Sequence, residues 1–366
     1  MASLELLDGE HLQPLRRAIT NCLATSAAEY AYTQILDGRP TSYVFGGDHY
    51  MEPRWPIYKH KQICPGFLDK AKAFRSDFDV LSLKFEAKTL QAYQDAKCNS
   101  VAWKLRLIEL VVVACHDIAI FLYKMDDGAH KHAEHEAWLA KQREKYLNKR
   151  STKRMVLPPR SLFWHGMFRD HKRYPNGVAE LAGYWAEGQI FGGAVMFDRG
   201  ESGEECNGMY IYNPVRYHTF APPTEEQFNQ LVEFLVSPDP DHSRCPIPIK
   251  VTPDNWWRWD PIPAMTEHNI FRNRYEVPDE HYTRSRRQVI TDLTWPESAE
   301  DAEAVERAAR KAAGEPYDDL PSPLPGDTRW LQITPTSFLW DERKDAICAL
   351  EPDKKKQGRP PYFFDP

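Results

Sequence analysis

A chain of 366 residues, 42% hydrophobic and 12% aromatic, carries enough apolar matter for one large domain or two modest ones, which excludes a disordered or fibrous protein. Its seven cysteines are odd in number, widely spaced and lack a C-x-x-C pair, which argues against a disulfide scaffold or a zinc ribbon and for a reducing compartment. The net charge is −6, and the first residues show no basic segment followed by an apolar run, so no secretion signal is read and a cytoplasmic location is expected.

In chain order, residues 4–37 have helical periodicity, which Asp37-Gly38-Arg39-Pro40 breaks. Residues 41–65 are dense in Pro, Tyr, Trp and Gly and read as a wrapping segment. Helices are predicted over 65–76, 78–97 and 101–127, then an exposed charged helix after Gly128 that Pro158-Pro159 must end. Residues 178–187 predict a short helix stopped by Gly188. Residues 189–198 and 209–213 predict paired buried strands joined by a charged, glycine-rich connection. Thr224 to Gln227 forms a capping box, and Phe228, Leu231, Val232 and Leu235 give the next helix one apolar face. Trp256, Trp257 and Trp259 are expected to cover the core, residues 284–293 to add a strand, and 297–315 to form a polar helix before a loose proline-rich tail. The expected class is α+β, with a helix-rich N-terminal half packed on a small central sheet. Residues 1–295 are expected to form one domain, helical over 1–157 and mixed over 158–295, with 296–366 as polar helix and tail.

The helix over 101–127 is the most informative segment. Arg106, Glu109, Val113, His116, Ile120 and Tyr123 share a face, with Asp117 at its margin, so ionisable groups form a seam in an otherwise oily helix. Residues 107–123 are too few, and Glu109, His116 and Asp117 too polar, for a membrane span; no membrane partner is expected. Buried ionisable groups are costly unless paired or used. Two readings follow: His116 as general acid or base oriented by Glu109 or Asp117, or a satisfied core network in which Arg106 pairs with Glu109 at i,i+3. Glu180, Tyr184 and Glu187, at i, i+4, i+7, suit proton transfer or the holding of an ammonium group, or else form a polar face toward water.

Asp126, Asp127, His130, His132, Glu134, His135 and Glu136 resemble a metal cluster, but no H-E-x-x-H or calcium-loop pattern accompanies them, so a solvated helix is the expectation and no metal is assigned. Gly192-Gly193 belongs to no phosphate-binding loop, and Ser202 lies outside a nucleophile elbow. No cofactor is expected.

Residues 141–173 hold eleven Lys/Arg against Glu144 and Asp170, a local +9 that leaves −15 on the rest. Such an island is either a solvated helix end or a phosphate contact; on the second reading Lys145, Lys149, Arg150, Lys153, Arg154, Lys172 and Arg173 would receive RNA. Phe163, Trp164, Phe168 and Tyr174 alternate there with Arg160, Arg169, Lys172 and Arg173, a pattern that suits RNA stacking or a core edge with snorkelling arginines.

Through FGGDHYMEPRWPIYKHKQICPGF, SVAWKLRLIELVVVACHDIA and YPNGVAELAGYWAEGQIFGGAVMFDRGESGEEC, the chain resembles a family of uncharacterised filamentous-fungal proteins over roughly residues 40–290, and through them the arginine-containing cyclodipeptide synthases. That family carries a DDxxE motif, whose nearest match here is Asp126-Asp127-Gly128-Ala129-His130, with histidine in place of the glutamate. The resemblance implies an enzyme of specialised metabolism that takes aminoacyl groups from charged tRNA and closes a cyclic dipeptide. The catalytic set would be His116, Asp117, Glu109, Tyr184 and Glu187, with Glu180 and Arg106 binding substrate. The alternatives are a His/Asp-dependent hydrolase or cyclase of a small molecule, and a non-catalytic binding protein.

Overall fold

The computed structural model describes residues 1–45, 55–125, 127–130, 132–148, 160–212, 219–252, 255, 258–278, 309–316 and 345. Short-range signals set most helix ends. Asp8 caps α1 (Gly9–Leu23) by accepting from the His11 N–H, and Thr25 caps α2 (Ser26–Asp37) by accepting from Ala28. The predicted stop at Asp37-Gly38 is realised, Gly38 closing α2 in the left-handed region at φ 85°. The periodicity over 4–37 hides a break at Ala24-Thr25, where one long helix becomes two.

After α3 (Phe67–Asp77), the helix expected over 78–97 is replaced by β2 (Lys84–Phe85) and the shorter α4 (Ala87–Asp95). Strand β2 pairs antiparallel with β1 (Ala2–Ser3), Ala2 opposite Phe85. Backbone pairing with the start of the chain, invisible to local periodicity, thus wins over helix there. α5 (Val101–Met125) forms as expected, with Leu107, Ile108, Leu110, Val111 and Val112 fully buried. Each such side chain contributes about 1.5–3 kcal/mol by leaving water.

α6 (Ala133–Asn148) was expected to lie open to solvent, but His135, Leu139 and Gln142 are buried on one face. Trp55 lies 6.0 Å from Trp138 and 6.3 Å from Trp164, ring to ring, so aromatic cover supplies what the charged sequence did not advertise. α7 (Val178–Ile190) runs past Gly188, correcting the predicted stop. Gly188 is tolerated inside the helix, and the turn is made at Gly192, φ 90°.

The chain divides into two compact units, one of Met1–Ala194 with Gln230–Pro248, the other of Val195–Asn229 with Ile249–Pro366. The sequence reading placed 1–295 in one domain; the division falls at a strand, where composition does not change. In the first unit α5 packs along α7, with α1, α2 and α4 around it. Asn21 Nδ2 donates to the carbonyls of Phe234, Leu235 and Ser237 at 3.2, 2.9 and 2.8 Å, capping the end of α8 (Glu225–Val236).

The second unit holds a sheet in the order β3 (Ala194–Phe197), β4 (Met209–Tyr212), β5 (Phe220–Ala221), with β4 and β5 antiparallel and Ile211 opposite Ala221. Trp259 is buried and exchanges backbone hydrogen bonds with Phe220, so it extends the sheet edge before α9 (Pro261–Glu267). The capping box is present: Thr224 N donates to Gln227 Oε1 at 2.9 Å and Gln227 N to Thr224 Oγ1 at 3.2 Å. The fold is α+β, helix-rich, with two small sheets among the described residues. No helix among the described residues is long and apolar enough to cross a membrane. The strand expected over 284–293, most of the helix over 297–315, the tail, Trp256 and Trp257 lie outside the described residues.

Candidate functional site

Two polar clusters lie within the first unit. One joins α5 to α7. Spacing of i, i+4, i+7 puts Glu180, Tyr184 and Glu187 on the face of α7 toward α5, and all three are buried. His116, 4% exposed, enters between them. Its Nδ1 lies 2.5 Å from Glu187 Oε1 and its Nε2 3.2 Å from Glu180 Oε1. Two nitrogens facing two carboxylates need either an imidazolium, or a neutral ring with one glutamic acid, so the three groups share their protons as a unit.

Gly183 lets the ring in: a Cβ there would fall 2.4 Å from His116 Cε1 and Nε2. Tyr184 meets the imidazole edge-on at 4.8 Å and is stacked on its other side by Phe168 at 4.1 Å. Glu180 Oε2 accepts from Asn176 N at 3.3 Å and Nδ2 at 2.8 Å, and Lys124 Nζ donates to Asn176 Oδ1 at 2.6 Å, which links the cluster to the surface. Burial, with the Glu187 charge among the lesser causes, pushes the nearby Tyr32 phenol well above its ordinary pKa. Thus α7 turns its polar face to the core, not to water. Sequence reading found all four residues but did not pair His116 with the glutamates.

Glu109 or Asp117 was expected to orient His116; Arg106 Nη1 donates to Glu109 Oε2 at 2.8 Å, the i,i+3 pair of the alternative reading. Asp117 is half-buried. Of the basic set, Lys145 and Lys172 are exposed and Arg173 half-buried, while Lys149, Arg150, Lys153 and Arg154 lie outside the described residues. Phe163, Phe168 and Tyr174 are buried, Phe163 edge-on to Trp185 at 4.8 Å, so these rings belong to the core and not to a stacking platform. Arg169 lies over the Trp164 ring at 4.3 Å, as a snorkelling arginine does.

The second cluster joins Asp37, the last residue of α2, to His60, Cys64 and His130, whose donor atoms all lie within 4.8 Å of one another. Sequence reading weighed His130 but grouped it with its helical neighbours and missed Asp37, His60 and Cys64. The other expected members scatter: Asp127 pairs with Lys70 at 3.6 Å, Glu134 with Arg39 at 2.6 Å, and Asp126 lies outside the described residues.

Close backbone approach builds this cluster. His130 N donates to Asp37 O at 2.9 Å. A Cβ on Gly38 would fall 2.5 Å from His130 O, and one on Gly128 2.8 Å from Leu36 O, so glycine is needed on both sides of the contact. His60 Nδ1 lies 3.1 Å from Pro40 O, and Cys64 N donates to Asp37 Oδ2 at 3.0 Å. Cys64 Sγ is 3.1 Å from His130 Nε2, which is 4.0 Å from Asp37 Oδ1. Asp37 Oδ1 and His60 Nε2 are buried with no hydrogen-bond partner among the described residues. Each orphan costs about 1–3 kcal/mol unless something else satisfies it. Burial, with the Asp37 charge adding, raises the Cys64 thiol pKa; burial, with Arg39 adding, lowers that of His130.

No family model, curated protein or solved structure matches the chain. The two clusters therefore stand on their geometry.

Proposed function

We propose that the chain is an enzyme in which His116, held between Glu187 and Glu180, relays a proton during aminoacyl transfer from charged tRNA, with peptide-bond formation as the outcome. The observation that supports proton transfer is the double carboxylate contact at 2.5 and 3.2 Å on one buried imidazole. Packing two helices does not call for it, since an apolar set of similar volume is often as stable or more so. Glu187 orients the ring, as the carboxylate does in a Ser-His-Asp arrangement. Glu180 is linked to the surface through Asn176, which supports it as the member that takes a substrate ammonium or guanidinium. The tRNA part is supported by the family resemblance and by the charge of the 141–173 stretch.

A host expressing this gene alone should accumulate a new cyclic dipeptide visible by mass spectrometry, lost with His116→Ala while circular dichroism stays native. RNA binding should weaken steeply as salt rises. A chain with no RNA affinity at low salt and no new product removes the tRNA reading.

The same distances favour a second reading, a non-catalytic binding protein in which the cluster clasps α5 to α7. Under it, His116→Ala and Glu187→Gln lower stability, and wild-type extracts contain no product that these variants lack.

A further inference from the structure

We propose that Asp37, His60, Cys64 and His130 bind one divalent transition-metal ion, zinc by the donor set, in a closed four-ligand site that ties the end of α2 to the 60–64 segment and the 127–130 loop.

The directions of the polar groups carry the inference. Asp37 Oδ2 and His60 Nε2 are 3.0 Å apart, close enough for a hydrogen bond, yet His60 Nε2 makes none. The contact of His60 Nδ1 with the Pro40 carbonyl gives Nδ1 a place for its proton, so a neutral ring turns the Nε2 lone pair toward Asp37. Two acceptors 3.0 Å apart with no proton between them repel each other, unless a cation takes both lone pairs. Asp37 is fully buried and His60 5% exposed, so bulk water does not replace that cation.

The spacing fits. Zinc bonds of about 2.0–2.3 Å to nitrogen, oxygen and sulfur place tetrahedral ligands about 3.3–3.7 Å apart. Donor separations here include 3.0, 3.1 and 4.0 Å, with none beyond 4.8 Å. The chemistry fits as well: a thiolate and two imidazoles select zinc or a similar ion over magnesium or calcium. One thiolate and one carboxylate cancel the ion's double charge, so the centre is neutral where it is buried. The outer partners are those of metal sites, a backbone carbonyl on the non-ligating nitrogen of His60 and a backbone N–H on the Asp37 carboxylate. Four protein ligands leave no open position, which makes the role structural.

The full chain, purified without chelator, should contain close to one zinc per molecule by plasma mass spectrometry. Replacement by cobalt should give visible d–d bands of a tetrahedral ion and a thiolate-to-cobalt charge-transfer band. Cys64→Ser should lose the charge-transfer band, and His60→Ala should weaken metal binding by more than the ~100-fold that loss of an outer partner can cost. His132→Ala, a neighbouring histidine outside the set, should keep both spectrum and stoichiometry. Should the ligand variants fail to fold, the wild type still decides: chelation should lower its melting temperature and zinc restore it. Natively folded wild-type protein with no zinc, no cobalt spectrum and a melting temperature indifferent to chelator would overturn the proposal, as would a cobalt spectrum unchanged by Cys64→Ser.

Discussion

Gly183→Ala tests how tightly His116 is held. A methyl there would lie 2.4 Å from the ring's Cε1 and Nε2 and 2.6 Å from Nδ1, against the 3.4–4 Å of ordinary contact. The ring must retreat by about 1 Å, and it cannot do so while its nitrogens keep carboxylates at 2.5 and 3.2 Å. Overpacking costs about 1–3 kcal/mol and a lost charge-assisted hydrogen bond about 1.5–3, while alanine in place of glycine returns about 1 in helix propensity. The net is a destabilisation of about 1.5–5 kcal/mol, a melting temperature lower by roughly 10 °C for a domain of this size. Gly188→Ala is the control on the same helix: its nearest neighbour is His165 Cδ2 at 3.7 Å, so alanine fits and should stabilise by about 0.5–1 kcal/mol. Thermal and urea unfolding followed by circular dichroism read both. Equal effects of the two substitutions would refute the claim that the ring is pinned against Gly183.

Thr224→Ala should remove the capping box that starts α8 and cost about 1 kcal/mol by urea denaturation, with Thr224→Ser restoring most of it. At the start of α1, Asp8 Oδ1 lies 2.9 Å from His11 Nδ1 while Ala96 O lies 3.1 Å from Nε2. Burial works to lower the His11 pKa, but the Ala96 carbonyl and the Asp8 carboxylate outweigh it and raise the value; Asp8 is lowered by its hydrogen bonds from His11. The His11 contribution is thus complete below its ordinary value of about 6.5 and fades as pH rises through the raised one, and that of Asp8 is complete above about 3.9 and fades as pH falls through the lowered one. Stability should therefore carry a component greatest between those values that His11→Gln abolishes, and an NMR titration of His11 should give a midpoint above 6.5. A midpoint at or below it contradicts the assignment.

What the sequence disclosed follows from the range of the forces involved. The Asp37-Gly38 stop, the Thr224 capping box and the oily body of α5 are set within a few residues, and each is found where it was read. The pairing of Ala2 with Phe85 is set by partners far apart in the chain, so 78–97 passed for one helix. The same limit governs the sites. His116, Glu180, Tyr184 and Glu187 were visible one helix at a time, as polar residues at helical spacing, but nothing local says that the two faces meet. Asp37, His60, Cys64 and His130 have no common spacing at all, and Asp37 had an adequate explanation as part of a helix stop.

The clusters differ in what they ask for, and this separates their roles better than composition does. Around His116 both ring nitrogens face carboxylates, and Glu180 in turn takes two donors from Asn176, whose Oδ1 accepts from Lys124. Around His60 the accounting leaves two buried acceptors over, Nε2 and Asp37 Oδ1, in a place shaped by two glycines that allow no looser packing. In the first cluster each ring nitrogen already has its carboxylate, and protons can shift among the three groups. Acceptors facing one another need a positive charge between them, and if the proposed metal ion supplies it, chelation should separate the two clusters: it should loosen the junction of α2 with the 127–130 loop and leave the junction of α5 with α7 intact. Hydrogen exchange with and without chelator reads the two places in one experiment, and uniform deprotection of both would contradict this division of roles.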